Sequence, residues 1–237
     1  MTPFIFSNVD AKHARAWIYD EEAKHCMKVM RKRQGEEVIG IDGKGNMYRA
    51  RILELGKRSI ELSIMEVVPD WGEKPQTIRL LVSPLHKADR FEWLVEKAVE
   101  LGATAITPYL GKHTVKTGVR LERLQRIALA ALKQSLRSRL PQITEPEPFE
   151  EVVANCDGAV KLMGHGPSGK PFREQIDFIG NAASIDLLIG PEGDFSESEL
   201  QFAQDSGFSP IALGSNRLRS ETAAIHLLGL VKSAMAY

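Results

Sequence analysis

The feature that most constrains this chain is a change of pattern at a cluster of chain breakers. Before Pro69-Asp70-Trp71-Gly72-Glu73-Lys74-Pro75 the apolar residues recur with period two. After it, short apolar runs alternate with segments of helical period. Glu37 to Ile41 meets the turn Asp42-Gly43-Lys44-Gly45-Asn46, and Met47 to Leu55 and Ser59 to Val68 alternate in turn. Turn residues between such runs predict antiparallel hairpins. A small β-barrel is the closed solution for them. Arg15 to Tyr19 is a further expected strand, and Glu21 to Met30 an expected helix ending near Gly35. The breakers place the domain boundary between residues 1–72 and 73–237.

Beyond the boundary, Thr77–Val82, Ala103–Leu110, Ala159–Met163, Ile185–Ile189 and Pro210–Leu213 read as strands. Between them lie helices. Asp89 with Glu92 can cap the first, whose apolar face is Phe91, Leu94, Val95, Ala98 and Leu101, and Gly102 stops it. A long helix is expected over Arg120–Arg139, with Leu121, Leu124, Ala128, Ala131, Leu132 and Leu136 inward. Ser196 and Glu199 form a capping box for a helix to Gln204. Ser220 can cap a final helix to about Met235, and Glu145–Glu151 reads as a loop. Strands alternating with helices give an α/β class with a mostly parallel sheet and helices on both faces.

Composition excludes several classes. With 43% hydrophobic and 26% charged residues the chain is not a disordered one. Two cysteines, Cys26 and Cys156, cannot make a disulfide framework or a CxxC site, and read as buried small hydrophobes. The six histidines lack metal-ligand spacing, so no metal is expected, and His226 reads as a core histidine. No apolar run approaches the roughly 18 residues that span a bilayer. Met1-Thr2-Pro3-Phe4 has no basic, then apolar, leader pattern, so a reducing cytoplasm is the expected location.

The zero net charge hides an asymmetry: +1 over residues 1–72, +7 over 73–143 and −8 over 144–237. Lys112, Lys116, Arg120, Arg123, Arg126, Lys133, Arg137 and Arg139 have only Glu122 among them. Lys24, Lys28, Arg31, Lys32 and Arg33 form a second cluster. Such stripes are either solvated faces or tracks for phosphate backbones.

In open parallel sheets ligands sit beyond the carboxyl ends of strands, so the turns there carry the chemistry. Gly164-His165-Gly166-Pro167-Ser168-Gly169-Lys170-Pro171 nearly spells a phosphate loop, but Pro171 lacks the hydroxyl that magnesium needs. Gly190-Pro191-Glu192-Gly193-Asp194-Phe195 is either a plain turn or a bend that lets backbone approach a ligand. Arg219 stands just before a helix N-terminus, where the dipole disfavours a cation. Its partner is either Glu221 or a substrate oxygen.

Taken together, Ile189-Gly190-Pro191-Glu192-Gly193, Leu213-Gly214 and Leu218-Arg219-Ser220-Glu221-Thr222-Ala223 resemble the RsmE family. These are small-subunit (16S) ribosomal RNA uracil-N3 methyltransferases of the SPOUT superfamily. Arg90 to Gly102, Gln134-Ser135 with Arg137 and Pro141, and His25, Val29, Arg31 and Gly35 extend the resemblance over nearly the whole chain. The resemblance implies a PUA-like β-barrel followed by a trefoil-knotted α/β methyltransferase domain, working as a homodimer. It implies S-adenosylmethionine held by Met163, His165, Ile189, Gly190, Glu192, Gly193, Leu213, Gly214 and Leu218, largely through backbone groups. Arg219 is then the expected catalytic cation at a uracil carbonyl, with Glu221 orienting it or acting as base. Lys28, Arg31, Arg33, Arg90, Lys116, Arg120 and Arg137 are expected to grip ribosomal RNA, free or in an assembled small subunit. There are departures. The family usually has Gly at Asp194, often Pro-Arg-Ile at Ser215-Asn216-Arg217, commonly an acid at Lys133, and an arginine near Thr2-Pro3-Phe4. They sustain an alternative expectation, a non-catalytic RNA-binding protein with a degenerate SPOUT domain. A nucleotide-dependent enzyme using Lys170 is a third.

Overall fold

The computed structural model describes residues 2–166 and 169–235. The chain divides into two compact units, Met1–Lys74 with Leu132–Leu140, and Pro75–Ala131 with Pro141–Tyr237. The return of 132–140 to the first unit has no counterpart in the linear division expected from the breakers.

In the first unit the alternating runs become β1 (Phe4–Ile5), β2 (Asn8–Asp10), β3 (Arg15–Tyr19), β4 (Glu37–Ile41), β5 (Asn46–Leu55) and β6 (Ser59–Pro69). Their order in the sheet is β1-β4-β5-β6-β3-β2. The two edge strands are neighbours in sequence, separated only by Phe6 and Ser7. Phe6 N donates to Ile41 O and Ser7 N to Trp17 O, both at 2.9 Å. One short segment thus serves both edges and makes the sheet barrel-like. Ala16, Ile18, Val38, Ala50, Ile52, Ile60 and Leu62 fill its interior. The expected helix over Glu21–Met30 is shorter and not uniform. α1 (Asp20–Lys24) opens into a π-helical turn, His25–Val29, in which Met30 N donates to His25 O at 3.0 Å. That turn buries Cys26 and leaves His25, Lys28 and Val29 exposed.

The helix expected to reach Arg139 stops at Gln134. Leu136 leaves the helical region at φ 57° and is 44% exposed, not inward. Arg137, expected to grip RNA, is only 5% exposed. Its Nη2 donates to Glu73 Oε2 at 2.9 Å, and Glu73 Oε1 accepts from the backbone N of Ser138 and Arg139 at 2.8 Å each. Lys133 pairs with Glu22 at 2.5 Å and Arg139 with Asp70 at 2.6 Å. Acids distant in sequence neutralise these cations, which a local charge count does not register. Arg137→Ala would leave the Glu73 carboxylate buried and without its cation, at a cost of about 3 kcal/mol. A matching drop in the urea midpoint of the full chain is expected, and a drop worth less than about 1 kcal/mol would refute this role.

The second unit is built on a wholly parallel sheet. Its strands are β7 (Thr77–Val82), β8 (Ala105–Leu110), β9 (Gln142–Ile143), β10 (Glu147–Pro148), β11 (Val160–Gly164), β12 (Lys170–Pro171), β13 (Ser184–Ile189) and β14 (Ser209–Ala212). The order is β10-β8-β7-β13-β11-β14-β12, with β9 also on β8. The helices are α2 (Ala88–Glu100), α3 (Leu121–Gln134, whose last residues belong to the first unit), α4 (Phe149–Ala154), α5 (Ile176–Gly180), α6 (Glu197–Asp205) and α7 (Ser220–Ala234). The capping box of α6 forms as expected. α2 differs, because its N-cap is Lys87 and Glu92 is engaged elsewhere. α7 likewise starts one residue earlier than expected, with Arg219 rather than Ser220 at its N-cap. Glu145–Glu151 is not simply a loop, since β10 and α4 begin within it. His226 is exposed on α7, one position outside the buried stripe of Ala224, Leu227 and Leu228.

Both cysteines are buried. Burial pushes the Cys26 thiol up to about 11 and the Cys156 thiol up to about 12. In the unfolded chain each ionises near 9.0, so the unfolded state sheds these protons first. Stability is therefore expected to fall as pH rises above about 9. Neither thiol should react with an aromatic disulfide reagent at about pH 8 until denaturant is added. A thiol titrating in the native protein would contradict this packing.

Candidate functional site

Because β13, β11 and β14 are parallel neighbours, their carboxyl ends fall on one edge. Gly164 at the end of β11 registers with Ile189 of β13 and Ile211 of β14. The loops that follow these strands therefore meet, as expected at the carboxyl end of such a sheet. They enclose a cavity of about 990 Å³ lined by Gly164–Gly166, Ile189–Glu192, Asp194, Leu213–Ser220, Ala223 and, from α2, Arg90.

Of the residues expected to hold a cofactor, His165, Ile189, Gly190, Glu192, Leu213, Gly214 and Leu218 line this cavity. Met163 and Gly193 do not. Met163 is fully buried in a core cluster with Leu81, Tyr109 and Leu188, so its side chain is packing. Gly193 backs onto the loop after β8, where an added Cβ would lie 2.9 Å from His113 Cβ. Its glycine serves close approach between two loops. Next to it, Asp194 holds a left-handed φ of 66°, a conformation in which a non-glycine side chain costs about 1 kcal/mol. The bend thus keeps a glycine-like backbone despite the departure at this position. Asp194 N donates to Pro191 O, His113 Nδ1 donates to Asp194 O, and Phe195 N donates to Asp194 Oδ1, each at 2.9 Å. The buried Tyr109 hydroxyl donates to Ile189 O at 2.7 Å and fixes the strand end from below.

Arg90, expected on an RNA surface, instead stands in the cavity wall between two carboxylates. Its Nη1 is 4.0 Å from Glu192 Oε1 and its Nε 3.7 Å from Glu221 Oε1. Glu192 Oε2 also accepts from His86 N at 2.9 Å. Glu221 is therefore committed to Arg90, and the expectation that it orients Arg219 is not met. Glu221 Oε2 is buried with no hydrogen-bond partner among the described residues. Arg219 is exposed at the N-cap of α7, lines the cavity, and makes no ion pair among the described residues. Sequence reasoning missed Arg90 as a pocket residue because its partners lie about 100 and 130 positions away. It missed Ala223 because that residue is one turn inside a helix.

The phosphate-loop reading fails. Lys170 and Pro171 form β12, paired with Ile211 and Ala212 of β14. Gly169 is there because a Cβ would lie 2.1 Å from Ala212 N. The positions Pro167 and Ser168 lie outside the described residues.

The basic residues divide into two sets. Arg120 Nη2 and Arg123 Nη2 donate to the Glu92 carboxylate at 2.8 and 2.7 Å. The Arg123 hydrogen bonds first, with Arg120 adding to them against partial burial, hold Glu92 below the usual carboxylate range. Lys116 is half-buried and borders a small cavity of about 20 Å³ with Glu92 and Arg120. In the first unit Lys28, Arg31 and Arg33 are exposed and make no ion pair among the described residues. They flank Val29, 65% exposed, and Met30, 42% exposed. Among the described residues no cluster of three metal-ligating side chains occurs, and no helix is long and apolar enough to cross a membrane.

Comparison with known proteins agrees with this geometry. Residues 72–232 match the RNA methyltransferase domain family, and residues 18–65 an RNA methyltransferase PUA domain. The ribosomal RNA small subunit methyltransferase E of Synechocystis is 30% identical over 219 residues, which cover 89% of this chain and 70% of that one. A probable rRNA-methyltransferase from Porphyromonas gingivalis superposes with a TM-score of 0.87 at 29% identity, over 100% of this chain and 99% of that one. The ribosomal RNA small subunit methyltransferase E of Neisseria gonorrhoeae, solved bound to S-adenosyl methionine, gives 0.85 at 28% identity, over 98% and 97%. This chain belongs to the family of the ribosomal RNA small subunit methyltransferases E.

Proposed function

We propose that the chain uses S-adenosylmethionine to methylate N3 of one uridine in 16S ribosomal RNA, in the cytoplasm and as a homodimer. The observation that carries the reading is a cavity made by three strand-end loops, lined by Arg219, which makes no ion pair among the described residues. Its volume and mixed lining suit a nucleoside with an amino-acid tail. The orphaned Glu221 Oε2 is a buried acceptor waiting for a donor. Ile189, Gly190 and the Leu213–Leu218 loop would hold the cofactor, which supplies a methyl group activated on a sulfonium. The knot implied by the resemblance belongs to this reading. It is supported by the order β7-β13-β11-β14, in which the later β13 is laid between two earlier strands, as threading requires.

Uracil N3 is a poor nucleophile until its proton leaves. In the transfer the N3–CH3 bond would form as the S–CH3 bond broke with its electron pair left on sulfur, and the N3 proton would pass to solvent water. Arg219 faces this reaction with an uncommitted guanidinium. It stabilises the negative charge that spreads to a uracil carbonyl as the proton is lost. Arg90 and Glu221 hold one another and shape the wall. Arg219→Ala is expected to lower methyl incorporation into ribosomal RNA by about 100-fold while changing cofactor affinity by calorimetry less than about threefold. Equal losses in both would refute the role.

RNA-duplex base edges are hidden, so the target uridine is read unpaired or extruded. Phosphates of the same RNA are gripped by the uncommitted cations of the first unit. Changing Lys28, Arg31 and Arg33 together to Gln should reduce the slope of log affinity against log salt by about 2. Arg120→Gln, which breaks a pair with Glu92, should change that slope by less than about 0.5. The opposite ranking, measured by filter binding, would reassign the RNA surface.

A further inference from the structure

Among the described residues of the second unit, Asp194 is the one non-glycine residue at a left-handed φ. Glycine would occupy this place without strain. A strained residue on the wall of a ligand cavity argues that its side chain is retained for what it does there. The carboxylate lies over Gly190, with Oδ1 3.3 Å from where a Cβ of that glycine would stand. It is held there by Phe195 N, while His113 fastens the carbonyl of the same residue.

The other acids of the cavity wall share one cation. Arg90 stands between Glu192 and Glu221. Asp194 has no cation within ion-pair distance among the described residues. The unpaired arginines of the cavity, Arg217 and Arg219, belong to the loop after β14, which is separated from the loop after β13 by the width of β11. The carboxylate of Asp194 is therefore a negative charge on this wall with no cation of its own among the described residues.

Methyl transfer removes a positive charge from the cofactor, because a sulfonium becomes a neutral thioether. Resting on the cofactor reading above, we propose that the Asp194 carboxylate makes the cavity favour the cationic methyl donor over its neutral product. Asp194 is then a specificity residue that helps the spent cofactor leave.

The test is calorimetry on the full chain with three ligands: S-adenosylmethionine, S-adenosylhomocysteine, and an analogue with a protonated amine in place of the sulfonium. Asp194→Asn removes the charge and keeps the shape, and asparagine tolerates a left-handed φ. It is expected to weaken both cationic ligands about fivefold, the order expected of one unit charge near a protein surface, and to leave S-adenosylhomocysteine within about twofold. Asp194→Gly relaxes the backbone and should give the same selective loss. Equal weakening of all three ligands, no change, or a selective loss in Asp194→Gly without one in Asp194→Asn would each overturn the inference. Failure of the unaltered protein to bind any of the three would overturn the cofactor reading itself, and the inference with it.

Discussion

The parallel register of β13, β11 and β14 is the constraint on which the site depends. Antiparallel neighbours would send successive loops to opposite edges. Here every strand runs the same way, so Gly164, Ile189 and Ala212 end side by side, and three loops that lie between Gly164 and Ser220 face one another. The edge is stiffened by groups that never touch the cavity. Tyr109 holds the carbonyl of Ile189, and Glu199 accepts Lys112 N at 2.7 Å while also closing the cap of α6. These are buried, directional bonds, costly to leave unmade. They give the loops a fixed floor while the loop backbones remain open to a ligand.

Much of this architecture was legible in the sequence because it rests on local rules. β3, β4 and β7 have the bounds that period and composition predict, and the Ser196–Glu199 box forms as written. What was not legible depends on long-range pairing. No local pattern could show that Phe6 and Ser7 close a sheet whose edges are β1 and β2. Nor could it show that residues 132–140 rejoin the first unit through Glu73. The site shows the same division. Turn residues pointed to the cavity, since glycines and prolines at strand ends are a local signal. Which residues turn inward was not legible. Met163 packs in the core because β11 is buried on the face it occupies, and Arg90 enters from a helix whose relation to the strands no turn motif encodes.

Charge is the second instructive case. The middle third of the chain is strongly basic by count, yet much of that excess is structural. Arg137, Lys133 and Arg139 tie the returning segment to Glu73, Glu22 and Asp70, and Arg120 and Arg123 converge on Glu92. A cation that satisfies an acid has little field left for a phosphate. The exposed cations beside Val29 and Met30 are fewer but make no ion pair among the described residues, and they sit on or just past an expanded helical turn, next to apolar side chains. A nucleic-acid face needs both properties, because phosphates are gripped by charge and unstacked bases by apolar contact.

The same logic separates the two arginines of the cavity. Arg90 lies against Glu192 and Glu221, so its charge is compensated before any ligand arrives. Arg219 stands at the N-cap of α7, where the helix dipole adds to its own positive potential and no acid pairs with it among the described residues. That placement destabilises the empty site slightly and favours any group that becomes negative within reach. In the proposed reaction a neutral uracil would gain little from it, whereas the anion formed as N3 loses its proton would gain much. Differential stabilisation of this kind lowers a barrier; equal binding of both states would not. Pairing Glu221 with Arg90 therefore matters as much to the proposed mechanism as the presence of Arg219, because a carboxylate turned the other way would cancel the charge which that mechanism uses.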